Sequence, residues 1–180
     1  MRLRRFRGVP TSASGFADPG RCVRGLRVGK PAALQQIQSI FADALIYVTT
    51  ELLPKDTEKV QVAGVVLDAF QSLWEHRESI QNPVDTRNFL NTYVLDACRR
   101  LYPGLDEQKA QLIVAFSEIA RMMLQTERAL PKKYQRFYKM KFVLRAPDAA
   151  ILEELGLSPE EFAQYTQEVK AYMSTMPKWG

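Results

Sequence analysis

The chain has few of the residues from which catalytic and metal sites are usually built. It contains two cysteines, Cys22 and Cys98, and a single histidine, His76. The cysteines have no metal-type spacing and no histidine close by, so neither a zinc site nor a disulfide framework is expected, and a reducing compartment is the simplest interpretation. With His76 as the only histidine, a nucleophilic triad is not expected either. We therefore predict a protein that is not an enzyme and needs no cofactor.

Long apolar runs are also missing from the sequence. No stretch approaches the roughly 20 apolar residues that cross a bilayer, and the basic N-terminus lacks the apolar run of a secretory signal. We expect a cytoplasmic protein without membrane insertion. There is no Gly-rich phosphate loop, internal repeat or useful β alternation. Hydrophobic residues nevertheless make up 46% of the chain, enough for a globular core.

Positive charge is concentrated at the start of the chain. Residues 1–30 carry eight Lys and Arg against one acid, a net charge of +7, which leaves −2 for the rest of a chain whose total is +5. This segment is rich in Arg, Gly and Ser and lacks hydrophobic periodicity, so it is predicted to be a disordered basic tail. A dispensable extension, an arm for DNA phosphates and a transit peptide remain open as explanations.

Apolar residues recur every three or four positions after the tail, which is typical of amphipathic helices. Four helices are predicted, the first after Pro31 and the others over about 57–77, 85–101 and 106–128. They form a first domain over residues 31–126. The stripes expected to meet in its core are Leu34, Ile37, Phe41, Ala44 and Val48, then Val60, Ala63, Leu67, Phe70 and Trp74, then Leu90, Val94, Ala97 and Leu101, and last Leu112, Phe116, Ile119 and Met123.

A second helical domain is predicted over residues 130–175. A short helix over residues 148–155 is followed by Gly156 and by a helix that opens at Ser158. Ser158 is a good N-cap, and Glu161 completes a capping box with it. Helix, glycine-containing turn and helix is the layout of a helix-turn-helix. The expected fold class is all-α, with two small helical bundles joined by a linker.

Two stretches carry a resemblance to a known family. The first is Ala69–Tyr102, with Phe70 three residues before Leu73-Trp74, a turn, and a helix that ends in Ala97-Cys98 and two arginines. The second is Ala129–Met173, with Leu130-Pro131 at its opening and Ala150–Ser158 as helix and turn. In this order and spacing they resemble the second and fourth conserved regions of RNA polymerase sigma factors of the extracytoplasmic-function type.

The resemblance implies a transcription initiation factor whose partners are core RNA polymerase and promoter DNA, with an anti-sigma protein as a further candidate partner. In that family the first domain binds polymerase and the melted promoter strand, and the second reads the promoter duplex. The polymerase-binding residues implied here are Gln61, Val62, Asp68, Gln71 and Glu75. The DNA-binding residues implied are Arg87, Asn88, Asn91, Arg99, Arg100, Lys132, Lys133, Arg136, Ser158, Gln164, Gln167 and Lys170.

Three departures from the family pattern favour an alternative function. The family's acidic run before the Leu-Trp is replaced here by Gln61-Val62-Ala63-Gly64, and its Arg-Asn before Ala-Cys by Leu95-Asp96. The last helix has a net charge of −2 over Ser158–Met173, which weakens its attraction to phosphates. The alternative is a diverged, sigma-like module that binds a protein through an apolar Val62-Ala63 surface and not DNA. A plain helix-turn-helix regulator, dimeric on a two-fold operator, is a third hypothesis.

Overall fold

The computed structural model describes residues 18–176 and 178–179, and all regular structure within them is helical. The predicted all-α class is thus confirmed. The α-helices are α1 (Pro19–Arg27), α2 (Pro31–Leu52), α3 (Lys59–Glu75), α4 (Pro83–Leu101), α5 (Glu107–Ala129), α6 (Lys132–Tyr138), α7 (Asp148–Leu155) and α8 (Pro159–Thr175). A 3₁₀ turn follows α3 and a π-helical turn follows α6. In the described residues, no helix has both the length and the apolar character required to cross a membrane.

The prediction of a disordered tail through residue 30 is wrong from Pro19 onward, because α1 is a packed helix. Cys22, Val23 and Leu26 are buried against α2 and α4, while the arginines of α1 face outward. Gly25 permits the close approach, since a Cβ there would lie 2.9 Å from the Cβ of Ala33 on α2. Three apolar residues spaced along one face therefore anchor a segment whose composition is basic. The rest of the predicted tail, residues 1–17, lies outside the described residues.

Helix α2 is the centre of the first hydrophobic cluster and packs against α1, α3, α4 and α5. Its inner face is formed by Ile37, Phe41, Leu45 and Val48, all of them buried. The side chain of Phe41 lies between two unusual neighbours. The guanidinium of Arg121 sits 4.5 Å from the centre of its ring, and Trp179 meets the ring edge-on at 5.3 Å.

The predicted core stripes of α3 and α5 are wrong in part, because both helices have two apolar faces. On α3, Val60 and Leu67 are exposed, and the buried face is formed instead by Val62, Val65, Val66, Ala69 and Leu73 together with Phe70. On α5, the whole predicted stripe faces outward except for the half-buried Met123. Its buried face consists of Ala110, Ile113, Ser117 and Arg121.

Arg121 can be buried on α5 because its polar atoms are satisfied locally. Its Nη2 donates to a carboxylate oxygen of Glu118 at 2.7 Å, and its Nη1 donates to Gln125 at 3.0 Å. One turn earlier, the hydroxyl of Ser117 donates to the backbone carbonyl of Ala44 at 3.1 Å, which ties α5 to α2. A buried charge with these partners is tolerated where an unpaired one would not be.

Helices α6, α7 and α8 surround a second hydrophobic cluster, which is largely aromatic. Tyr134 and Phe137 are fully buried and meet Tyr165 of α8 edge-on. The α7–α8 turn has the predicted form. Gly156 ends α7 in the left-handed conformation at φ 62°, where other residues are strained, and Ser158 with Glu161 forms the capping box of α8.

The chain passes from one cluster to the other through Leu130 and Pro131, between α5 and α6. Leu130 is itself buried in the second cluster. Near the other end of the chain, Trp179 returns to the first cluster and is only 4% exposed there. The predicted arrangement of two small helical bundles joined by a linker remains a prediction.

Candidate functional site

Four of the five predicted polymerase-binding residues share one side of α3. Gln61, Asp68 and Glu75 are exposed and spaced seven apart, which brings side chains back to nearly the same direction on a helix. Gln71 joins them and donates to Glu75 at 3.0 Å. Val62 points about 100° away and is buried, so the structure does not bring it into this exposed strip. A polar, acidic strip remains on the outer surface of α3.

An apolar strip lies beside the polar one on α3. Val60 is 79% exposed and Leu67 is 63% exposed. Ala63 is exposed between them. The apolar surface suggested for Val62-Ala63 therefore includes Ala63, but Val60 and Leu67 take the place of the buried Val62. Exposed apolar side chains flanked by charged ones are the usual composition of a protein-binding surface. We refer to the two strips together as the α3 face.

An open groove of about 510 Å³ lies between the end of α3 and the outer side of α4. A row of three aromatic rings is its main feature. His76 lies 5.7 Å from Phe89, and Phe89 stacks on Tyr93 at 6.5 Å between ring centres. Phe89 and Tyr93 are half-buried, so each ring has one part in the core and another in the groove. The groove is further lined by Ser72, Ile80, Asp85, Asn88, Thr92 and Asp96.

The groove contains two carboxylates, which accept hydrogen bonds, beside hydroxyl, imidazole and amide groups that can also donate. Asp85 and Asp96 contribute carboxylates, and Asn88 contributes an exposed side-chain amide. Asp85 accepts from the backbone N–H of Gln81 at 2.9 Å, which fixes its position. Carboxylates repel phosphates but accept hydrogen bonds from the amino groups of adenine and cytosine. The groove therefore suits an unstacked base better than a sugar-phosphate backbone.

The predicted DNA-binding residues of α4 are only partly brought together. Asn88, Asn91 and Arg99 lie on the same side of the helix, and the guanidinium of Arg87 donates to the amide oxygen of Asn88 at 3.1 and 3.3 Å. Arg100 is exposed but lies about 100° away from Arg99. Arg100 therefore does not join this cluster.

Arg99 is held by carboxylates of its own chain. It donates to Glu107 at 2.7 and 2.8 Å and to Asp96 at 2.6 Å. These hydrogen bonds raise the pKa of the Arg99 guanidinium, and the one from Arg99 lowers the pKa of Glu107. The arrangement ties the end of α4 to the start of α5. It also neutralises a cation that the resemblance assigns to DNA.

The basic residues of α6 are neutralised in the same way. Lys133 lies 4.0 Å from a carboxylate oxygen of Glu168 on α8, and Arg136 pairs with Glu154 on α7. Lys132 is exposed at the start of α6. In the adjoining π-helical turn, Lys141 pairs with Asp148 at 2.5 Å. Much of the positive charge that was expected to hold phosphates is thus used to join α6 to α7 and α8.

The outer side of α8 carries the remaining predicted residues. Gln164, Gln167 and Lys170 are exposed, and Gln164 donates to Glu168 at 2.8 Å. Ser158 lies at the helix start, where its hydroxyl accepts from the backbone N–H of Glu161 at 3.1 Å. That hydroxyl has a structural role as a cap. The surface that would face a DNA duplex is consequently polar and, on balance, acidic.

Several residues of these surfaces were not found from the sequence. His76, Asp85 and Asp96 line the aromatic groove, and Val60 and Leu67 had been assigned to the core. The spacing of Phe89 and Tyr93, four residues apart and off the Leu90–Val94 core stripe, is the one signal that could have indicated the groove. Within residues 18–176 and 178–179, no three His, Cys, Asp or Glu side chains are grouped as metal ligands.

Comparisons of the chain with family models, with curated proteins and with solved structures give no match.

Proposed function

We propose that the chain is a sigma-type transcription initiation factor that binds core RNA polymerase and a melted promoter strand. The observation that carries the proposal is the aromatic groove beside α4. It lies in the stretch whose sequence resembles the family's single-strand region. Its row of rings offers a stacking surface, its carboxylates offer acceptors for the edge of a base, and the Asn88 amide nitrogen offers a donor.

The α3 face provides the second part of the proposal. It combines acidic residues, Asp68 and Glu75, with the exposed apolar side chains of Val60 and Leu67. It also belongs to the stretch that precedes the Leu-Trp motif, where the family contacts the polymerase clamp. In this proposal, polymerase binding depends on both strips, and the groove stays free for the strand.

The test of the groove is binding of a labelled single-stranded oligonucleotide to the complex of the chain with core polymerase. Replacement of a stacking ring costs about 1–3 kcal/mol per base, so Tyr93→Ala is expected to weaken binding at least about fivefold. Tyr102→Ala is the matched control, because Tyr102 lies at the end of α4 and outside the groove. Equal affinities for Tyr93→Ala and wild type would exclude the groove as the strand site.

A second function is favoured by the pairing of the basic residues. Arg99, Lys133, Arg136 and Lys141 are matched with carboxylates of the same chain. Phosphate contacts formed by free cations give DNA affinity its steep dependence on salt. The second proposal is therefore a sigma-like module that binds a protein through the α3 face and does not bind DNA with sequence specificity.

A salt titration separates the two functions. The initiation factor requires DNA affinity that falls steeply as salt rises, together with run-off transcription from a promoter. The protein-binding module requires a stable complex with polymerase or another protein and no salt-sensitive DNA binding. A preparation that binds neither polymerase nor DNA at low salt would remove the first proposal. The second would be removed if the chain formed no stable complex with polymerase or with any other protein.

A further inference from the structure

Within residues 18–176 and 178–179, no part of the chain covers the outer side of α5, which is apolar. Leu112 is 59% exposed, Phe116 is 64% exposed and Ile119 is 49% exposed, and Met122 and Met123 adjoin them. The opposite side of the same helix already packs on α2 through Ala110, Ile113, Ser117 and Arg121. A single large apolar side chain at a surface is ordinary, but a continuous row of them points to a contact with another molecule.

The spacing of this row is that of a two-helix seam. Leu112, Phe116, Ile119 and Met123 are separated by four, three and four residues, which is the alternation that lets one helix pack along another. The residues on its flanks, Ala115, Ala120 and Met122, are uncharged. Two small alanines permit close approach, and nothing along the central part of the seam repels an identical helix.

We propose that α5 pairs with α5 of a second copy of the chain, in antiparallel orientation about a two-fold axis. The axis would pass midway between Phe116 and Ile119. Phe116 then packs on Ile119 of the second copy, and Leu112 packs on Met123 of the second copy. Each large side chain thus meets one of the other type, and the contact is the same for both copies.

The charges at the ends of the seam select this orientation. Lys109 and Glu127 lie at the two ends of the apolar row. In the antiparallel pair, Lys109 of one copy comes alongside Glu127 of the second copy, and the two-fold axis forms this opposite-charge contact twice. A parallel pair would instead place Lys109 beside Lys109 and Glu127 beside Glu127. Opposite charges at matched positions determine orientation in paired helices.

The expected dimer is reversible because the contact is limited to one helix from each copy. Helix α5 has 23 residues, so it is about 34 Å long at 1.5 Å per residue. A single seam of this length is smaller than most obligate interfaces. The inference shares no residue with the aromatic groove or the α3 face, so it stands independently of the proposed function.

Dimerisation of the full chain is tested by sedimentation velocity over a range of protein concentrations. Wild type is expected to shift from monomer to dimer as concentration rises. Phe116→Glu is expected to weaken dimerisation at least about tenfold, because it places a charge in the seam twice. Leu144→Glu is the matched control, since Leu144 is as exposed as Phe116 and lies outside α5 and the α3 face, and it should leave the dimer unchanged. Circular dichroism verifies that both variants remain folded.

The orientation is tested by exchanging the end charges. Lys109→Glu and Glu127→Lys should each weaken the dimer, and the double variant should recover wild-type affinity. Failure of the double variant to recover would contradict the antiparallel arrangement. A monomer at every concentration, or a dimer unaffected by Phe116→Glu, would overturn the proposal. If the chain is monomeric at every concentration, the α5 surface would instead be a binding site for a different protein.

Discussion

Replacement of Glu118 by alanine tests how the first cluster tolerates a buried charge. The Arg121 side chain is only 2% exposed and that of Glu118 is 16% exposed. In the Glu118→Ala variant, the guanidinium keeps its bond to Gln125 and its contact with the ring of Phe41. It loses the carboxylate that balances its charge, and only 2% of its side chain is exposed to solvent that could compensate.

The expected decrease in the free energy of unfolding follows from this loss of the counter-charge. Removing one partner of a buried ion pair costs about 3–5 kcal/mol. Because Glu118 is not completely buried and Gln125 still accepts one bond, we expect the lower end, about 3 kcal/mol. With a urea slope near 2 kcal/mol/M, the unfolding midpoint would fall by about 1.5 M. Replacing Glu118 and Arg121 together by methionine should stay within about 1 kcal/mol of wild type, since no unpaired charge remains.

The assay is urea unfolding followed by tryptophan fluorescence. The chain has two tryptophans, and Trp74 and Trp179 both belong to the first cluster, so the signal reports on the cluster that contains Arg121. Asp96→Ala, which removes one partner of the partly exposed Arg99, is the surface control and should leave the midpoint close to wild type. If Glu118→Ala shifts the urea midpoint no further than Asp96→Ala does, the buried charge of Arg121 does not depend on Glu118.

Three other changes have defined outcomes. Ser158→Ala removes the cap of α8 and should destabilise the second cluster by about 1 kcal/mol, as measured by unfolding followed with far-UV circular dichroism. Ser174→Ala, at an exposed serine of the same helix, is the control and should have little effect. Trp179→Ala should lower the stability of the first cluster by about 3 kcal/mol, observed through the fluorescence of Trp74. Burial raises the pKa of the Cys98 thiol from 9.0 to about 11, so the unfolded chain loses this proton first, and stability should fall as pH rises from 9 towards 11. Urea midpoints across that range should fall less steeply for Cys98→Ala than for wild type.

Helix positions could be predicted from the sequence where prolines and caps mark their ends. Helix α4 begins at Pro83 and ends before Pro103-Gly104. Its predicted core residues Leu90, Val94 and Ala97 are buried, whereas the fourth, Leu101, is exposed at the end of the helix. The capping box of α8 was also predictable, because Ser158 and Glu161 act within one turn of backbone. Helix ends and caps depend on residues that are close in sequence, so their positions can be predicted from the sequence alone.

The inner faces of α3 and α5 could not be predicted in the same way. Each helix carries two apolar rows, and periodicity does not determine which row meets the core. On α5 the more apolar row is outside, and the buried row includes Arg121, which depends on Glu118 and on the ring of Phe41. Helix α1 was missed because its buried residues Cys22, Val23 and Leu26 lie among arginines. The aromatic groove could not be predicted because it depends on how α3 packs against α4. His76 follows α3, whereas Phe89 lies on α4.

The proposal that this chain is a sigma-type factor is tested by its binding to purified bacterial core RNA polymerase. The wild-type chain is predicted to form a stoichiometric complex at low salt. Replacing Asp68 and Glu75 on the α3 face by lysine should abolish the complex, and Glu160→Lys on the exposed side of α8 should not. If the wild-type chain forms no complex with polymerase, or if the lysine substitutions on the α3 face leave the complex unchanged, the proposal is contradicted.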